Sequence, residues 1–113
     1  MLWNVPDALI EPKLSLANWQ VYETETGECH LVGYCVERFE GRVSSAITAF
    51  DPASRCVVTR SGRSYRLHGT PGFDDDADYV WQNWKRINSV THSADVSHRV
   101  WDEIQGVLKS HPS

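Results

Sequence analysis

The sequence has no apolar run close to the roughly 18–20 residues that a helix needs to cross a bilayer. Its beginning, MLWNVPDALIEPKL, lacks the basic region followed by an apolar stretch that marks a secretory signal. The three cysteines, Cys29, Cys35 and Cys56, are an odd number without CxxC spacing, which fits free thiols in a reducing compartment better than a disulfide framework. These absences predict a cytoplasmic protein that does not insert into a membrane.

Recognised catalytic and metal-binding motifs are also absent from the sequence. The five histidines show neither HExxH nor zinc-site spacing, and there is no nucleophile elbow or GxxxxGK[ST] phosphate loop. The acids Asp74, Asp75, Asp76 and Asp78 lack the alternating ligands, turn glycine and distal glutamate of a calcium loop. We therefore expect no catalytic residues, no metal and no cofactor, and a small enzyme of unknown class is only the third hypothesis.

The residues that are present predict one small folded domain with an uneven charge. At 113 residues, with 41% hydrophobic residues and five tryptophans, the chain can bury a single core. Residues 1–40 contain 2 basic and 7 acidic side chains, residues 41–72 contain 5 basic and 1 acidic, and residues 73–113 contain 4 basic and 7 acidic. The net charge of the whole chain is −4. A basic middle is therefore flanked by acidic ends.

Alternating and β-branched residues predict about five strands between residues 18 and 68. We expect them at residues 18–24, 28–39, 42–50, 55–60 and 63–68. Glu40–Gly41 and Ser61–Gly62 are predicted to be two-residue hairpin loops. Because short connections favour pairing of consecutive strands, the expected sheet is an antiparallel meander.

Two helices are predicted to follow, at about 75–88 and 94–109. Acids at 74–76 cap the first helix and place negative charge at its start, and Ser93 or Asp95 caps the second. Both carry an apolar stripe at helical spacing: Ala77, Val80, Trp81, Trp84 and Ile87 on the first, and Val100, Trp101, Ile104, Val107 and Leu108 on the second. The predicted fold class is α+β, with residues 1–17 as an extended N-terminal arm and 18–113 as a single domain whose helices pack on the sheet.

The predicted hairpin at Ser61–Gly62 concentrates the basic charge. With a two-residue loop, Arg60 faces Arg63 across the tip, where like charges repel. The same register separates an apolar side, formed by Cys56, Val58, Tyr65 and Leu67, from a face that carries Arg55, Arg66 and His68. An anionic partner would relieve the repulsion, so the predicted partner-binding residues are Arg55, Arg60, Arg63, Arg66 and His68.

Three interpretations of these basic residues stay open. The leading hypothesis is a non-enzymatic interaction or regulatory module that binds a protein partner. Nucleic acid is the alternative, because arginines on a sheet can contact phosphates, although the sequence pI near 5.6 argues against it. The third is pairing within the chain, with Glu23, Glu25, Glu28 and Glu37 as partners. The sequence leaves the oligomeric state open, and a homo-oligomer is compatible with it.

The segments RVSSAITAFDP, VVTRSGRSYRLHGTPG and DADYVWQNW carry a resemblance to a group of other proteins. Across roughly residues 18–88 the chain resembles small uncharacterised proteobacterial proteins, some of them carried on plasmids or integrated mobile elements. That resemblance implies a bacterial accessory or regulatory role, such as modulating a host system or one encoded by the element. It implies no catalytic or binding residue.

Overall fold

The computed structural model describes residues 14–109, and within that range six strands and two helices follow one another. They are β1 (Leu14–Thr24), β2 (Cys29–Cys35), β3 (Glu40–Asp51), β4 (Cys56–Thr59), β5 (Ser64–Leu67), α1 (Asp75–Ile87), β6 (Ser93–Asp95) and α2 (Ser97–Lys109). The α+β class is confirmed. The predicted arm over residues 1–17 lies mostly outside the described residues, and its last four residues belong to β1.

The sheet closes into a five-stranded barrel, so the expectation of a simple meander is wrong. Strands β1 to β5 pair antiparallel in sequence order, and β1 then pairs in parallel with β5, with Leu14 opposite Tyr65 and Leu16 opposite Leu67. The strand β1 begins at Leu14 and not, as predicted, at residue 18. The additional residues at its start are the ones that pair with β5 and close the barrel. Local turn signals could not show it, because the first and last barrel strands are far apart in sequence.

The pairing of β4 with β5 differs by one residue from the predicted register. Val57 lies opposite Tyr65, and Val58 lies opposite Ser64. Because side chains alternate along a strand, a shift of one residue exchanges the two faces of β4. Val57 and Tyr65 therefore join the barrel core, whereas Cys56 and Val58 form a separate cluster on the other face.

A three-residue loop, Arg60, Ser61 and Gly62, is the physical reason for this shift. The Thr59 N–H donates to the Arg63 carbonyl at 3.0 Å, so the strands meet one residue earlier on the β4 side than a two-residue loop requires. Gly62 has a φ of +87°, the left-handed conformation that such a loop needs at its last position. Arg60 is consequently in the loop and does not face Arg63.

The connection between β2 and β3 is also displaced from its predicted position. The turn occupies residues 36–39, and β3 already begins at Glu40. Gly41 is therefore a strand residue and not part of a loop. It lies under the start of α1, where a side chain could not fit: a Cβ at Gly41 would lie 2.6 Å from the Cα of Ala77 and closer still to the Ala77 nitrogen.

The barrel interior forms the main core of the described residues. Its buried members are Leu14, Leu16, Trp19, Val21, Leu31, Cys35, Val57, Tyr65 and Leu67 from the barrel, with Val96 and Ile104 from the region of α2. The largest of them, Trp19, has no exposed surface and donates its indole N–H to the Gly69 carbonyl at 3.2 Å. Helix α2 thus packs against the barrel core through part of its predicted stripe, while Leu108 stays exposed.

Helix α1 covers part of the outer face of the barrel. Asp74 caps it as predicted, since its carboxylate accepts the Ala77 N–H at 2.9 Å. Ala77 and Trp81 are buried against Val32 of β2, and Trp84 packs beside them. Ile87, the last residue of the predicted stripe, is exposed.

A short sixth strand replaces the predicted first turn of the second helix. In β6, Ala94 pairs with Glu23 and Asp95 with Tyr22, which extends the sheet beyond β1. The prediction that the helix begins near residue 94 is wrong, but Asp95 does lie at its start, where its carboxylate accepts the Ser97 N–H at 2.8 Å. Neither described helix is both long and apolar enough to cross a membrane.

Candidate interaction site

The structure distributes the five predicted partner-binding residues over different surroundings. Arg55 precedes β4 and makes its contacts within the chain, because its guanidinium donates to the Gly69 carbonyl and lies 5.6 Å from the ring centre of Trp101. Arg63, Arg66 and His68 are exposed, and their side chains have no hydrogen bond or ion pair with any residue in the range 14–109.

Arg60 is the predicted residue that borders a cleft. Its guanidinium pairs with the Glu28 carboxylate, across β3 from the hairpin tip. Pairing within the chain was one of the three interpretations, and for Arg60 it is the observed one. The two side chains keep 62% and 41% of their surface exposed. An ion pair this exposed contributes at most about 1 kcal/mol, so another anion can replace Glu28 at small cost.

The cleft beside this ion pair has a volume of about 240 Å³ and lies on the outer surface of the barrel. Three parts of the described chain surround it: the end of β1 with the turn and the start of β2, the tip of the β4–β5 hairpin, and the end of α1 with the segment after it. Its lining residues are Thr24, Glu25, Thr26, Glu28, His30, Arg60, Trp84, Asn88 and Val90. Both charge signs, hydroxyl groups and one large aromatic ring are therefore available to a bound group.

His30 forms the buried wall of the cleft with a defined ring orientation. Its Nδ1 lies 2.9 Å from the Ser44 carbonyl oxygen. A carbonyl can only accept, so Nδ1 carries the proton, and in the neutral ring Nε2 is a hydrogen-bond acceptor. This hydrogen bond fixes the orientation of the ring in a lining that also contains Glu28.

Trp84 forms the aromatic wall and is the outer member of a stack. Its ring centre lies 4.5 Å from that of His30 and 5.5 Å from that of Trp81, with the two indoles nearly parallel. Trp81 in turn stacks on Tyr22 at 4.8 Å. Two packed rings, those of His30 and Trp81, restrain Trp84, so this half-buried ring presents a fixed apolar surface to the cleft.

Glu25 holds the segment before β6 against the edge of the cleft. One carboxylate oxygen accepts the N–H groups of Thr91 and His92 at 3.3 and 3.4 Å. The pKa of Glu25 is lowered, first by its own backbone N–H and further by those of Thr91 and His92, because these donors stabilise the charged carboxylate.

This pKa shift predicts an acid-dependent contribution to stability. A carboxyl with a lower pKa in the folded state stabilises the fold above its unfolded-state pKa, and the contribution disappears as the pH falls through the folded-state value. We expect the urea midpoint of the wild type to fall more steeply than that of Glu25→Gln as the pH drops below the ordinary range of glutamate. Glu103→Gln, at an exposed residue of α2, serves as the control. Parallel midpoints for wild type and Glu25→Gln would contradict this expectation.

Sequence reasoning identified one corner of this site and missed the rest. The sequence predicts Arg60 as a partner-binding residue and Glu28 as a partner within the chain, but it places His30 in the strand expected at 28–39 and Trp84 in the stripe of the first helix. His30 and Trp84 are 54 positions apart, and only the packing of α1 on β2 brings them together. Of these two residues, only His30 could have been placed from the sequence. Because side chains alternate along a strand, His30 shares a face with Val32, which α1 covers.

The described residues form no group of three or more His, Cys, Asp or Glu side chains that could hold a metal ion. The site combines an exchangeable ion pair, a fixed aromatic surface and several hydrogen-bonding groups around one opening. Comparison with protein-family models, curated proteins and solved structures finds no match for the chain.

Proposed function

We propose that this protein is a non-enzymatic interaction module that binds a protein partner through the β4–β5 hairpin tip and the adjoining cleft. The observation that carries the proposal is the exposed Arg60–Glu28 ion pair at the mouth of a cleft with a fixed tryptophan wall. The resemblance to small proteobacterial proteins, some of them carried on mobile elements, supports an accessory or regulatory role, such as modulating a host system.

The chemistry of the cleft indicates what the partner presents. An acidic side chain of the partner can replace Glu28 as the counterion of Arg60, and Arg63 adds a second exposed cation three residues away. An apolar or aromatic neighbour in the partner can then cover Trp84, which would remove its remaining surface from water. The partner segment is therefore expected to combine an acidic residue with an adjacent large apolar one.

Reversal of charge at the tip is the test of this surface. Tagged wild-type protein and the combined variant Arg60→Glu and Arg63→Glu are purified from the native cell under identical conditions, and the copurifying proteins are quantified. We expect the amount of copurified partner to fall at least about tenfold in the variant. A tenfold loss of affinity corresponds to only about 1.4 kcal/mol of binding free energy, which the reversal of two charges can supply. Urea unfolding of both proteins checks that the change leaves the fold intact.

The matched control reverses the same amount of charge elsewhere. Arg38 lies in the turn between β2 and β3 and does not line the cleft. Lys109 ends α2. The combined variant Arg38→Glu and Lys109→Glu should retain the partner. Equal capture by the tip variant and the wild type would refute the proposed surface.

Nucleic acid remains the alternative ligand for the exposed cations. The exposed guanidinium groups of Arg63 and Arg66 support it, and the acids that line the cleft oppose it. A labelled single-stranded oligonucleotide discriminates between the two hypotheses. Affinity that falls steeply with salt and is lost in Arg63→Ala with Arg66→Ala would favour nucleic acid over a protein partner.

A further inference from the structure

A second cavity lies between the barrel and α2 and has its own set of lining residues. Its volume is about 240 Å³. The barrel contributes Val21, Cys29, Ile47, Phe50 and Val57, and the region of α2 contributes Val96, Arg99, Val100 and Glu103. We propose that this cavity is a binding site for a small uncharged apolar molecule of about ten non-hydrogen atoms. The inference is independent of the proposed partner surface, because the two openings share no lining residue.

The cavity exists because short side chains meet where the helix crosses the barrel. Val96 lies directly before α2 and Val100 in its first turn, and both line the space together with Val21 and Val57. The longer Ile104, one turn further along, is buried in the core cluster. The Val96 N–H donates to the Val21 carbonyl at 2.8 Å, and the Ser97 hydroxyl accepts from the Val21 N–H at 2.8 Å. These two hydrogen bonds fix the start of α2 relative to β1.

The lining favours an uncharged ligand. Seven of its nine residues are apolar side chains or the Cys29 thiol, and the charges are confined to Arg99 and Glu103 on α2. Arg99 is already 3.6 Å from the Glu23 carboxylate, and both groups are partly exposed. No charged group at the inner wall could compensate a buried charge on a ligand, and burial of an uncompensated charge is strongly unfavourable.

The volume determines the expected size of the molecule. Drug-sized ligands occupy pockets of about 300–1,000 Å³, which exceeds this space. An engineered apolar cavity of about 150 Å³ in another protein holds benzene. A cavity of about 240 Å³ is therefore suited to a molecule one ring larger, such as a fused bicyclic hydrocarbon.

Cys29 provides a reporter within the cavity wall. It is half-buried, whereas Cys35 and Cys56 have no exposed surface, so a thiol reagent reaches Cys29 first. Burial raises the pKa of the Cys29 thiol and nearby Glu23 raises it further, so the group is protonated near neutral pH and its alkylation is slow enough to follow. A molecule in the cavity should protect this thiol.

Naphthalene, a neutral bicyclic hydrocarbon, is the probe for the test. Saturating naphthalene should slow iodoacetamide alkylation of Cys29 at least about fivefold and raise the melting temperature of the full chain. Naphthalene-2-carboxylate, which adds only a charged group, should bind at least about tenfold more weakly. Absence of protection up to the solubility limit of naphthalene, or equal binding of the carboxylate, would overturn the proposal.

A substitution that fills the cavity tests whether naphthalene binds at this position. Val100 is half-buried on α2, so Val100→Phe can place its ring in the cavity without changing a strand. We expect that adding naphthalene to this variant will neither slow the alkylation of Cys29 further nor raise the melting temperature. Val100→Leu, a smaller change, should weaken both effects and covers the case in which the phenylalanine variant does not fold. Unchanged protection in a folded variant would place the probe elsewhere and contradict the proposal.

Discussion

Replacing Gly41 with alanine should lower the free energy of unfolding by about 3 kcal/mol, the upper end of the cost of overpacking a core. The added Cβ would lie 2.6 Å from the Cα of Ala77 and closer to the backbone atoms beside it. These atoms belong to the first turn of α1 and cannot rotate away as a side chain could. The helix must therefore move off the barrel, which weakens the packing of Trp81 and Trp84 behind it.

Urea denaturation of wild type and Gly41→Ala measures this effect, and Gly106 supplies the matched control. Gly106 is inside α2, and a Cβ there would have no neighbour within 4 Å among the described residues. Alanine is favoured over glycine in a helix by about 1 kcal/mol, so Gly106→Ala should stabilise the protein. The same chemical change is thus expected to have opposite signs at two positions. A Gly41→Ala variant as stable as wild type would show that α1 does not pack this closely on β3.

Replacing Trp81 with alanine should have the largest effect, a loss of about 4 kcal/mol. The ring is almost fully buried and stacks between Tyr22 and Trp84. Its removal deletes the centre of that stack and leaves a cavity between α1 and β2. Because Trp84 would lose its support, the cleft wall should also become mobile, which the near-ultraviolet circular dichroism of the indoles would record.

A phenylalanine at the same position separates packing from hydrogen bonding. The Nε1 of Trp81 is buried and has no hydrogen-bond partner among the described residues. An unsatisfied buried donor costs about 1–3 kcal/mol, and phenylalanine removes it while keeping an aromatic ring in the stack. We therefore expect Trp81→Phe to cost less than about 1.5 kcal/mol, well below the alanine variant. If both variants lost the same stability, the indole nitrogen would have to be satisfied in the folded protein.

The predictable parts of the fold are those with local signals. Helix α1 is an example, because Asp74 at its start and the spacing of Ala77 and Trp81 act within a few residues of each other. The β4–β5 hairpin was placed correctly, yet its register was not, since Gly62 suits the end of either a two-residue or a three-residue loop. Barrel closure was missed because no local pattern records that Leu14 will lie beside Tyr65.

The candidate site was less predictable than the fold for the same reason. Arg60 stood out by its charge, but the groups around it come from the turn after β1, from β2 and from α1. Glu28 and His30 become its neighbours only when the hairpin tip pairs alongside β3, where the Arg60 N–H donates to the Ala46 carbonyl at 2.8 Å. Such convergence depends on the tertiary structure, and each residue by itself is ordinary in composition and spacing.

The parallel pairing of β1 with β5 also determines when the barrel can close during folding. During synthesis β1 emerges first, but its partner at residues 64–67 follows about fifty positions later. Pairings over such long separations slow folding, since the intervening chain must be ordered before they form. Until β5 is available, the Leu14–Leu16 edge of β1 remains an open template for other chains. Fragments that end before Ser64 should therefore aggregate, whereas the longer chain has no such exposed edge there.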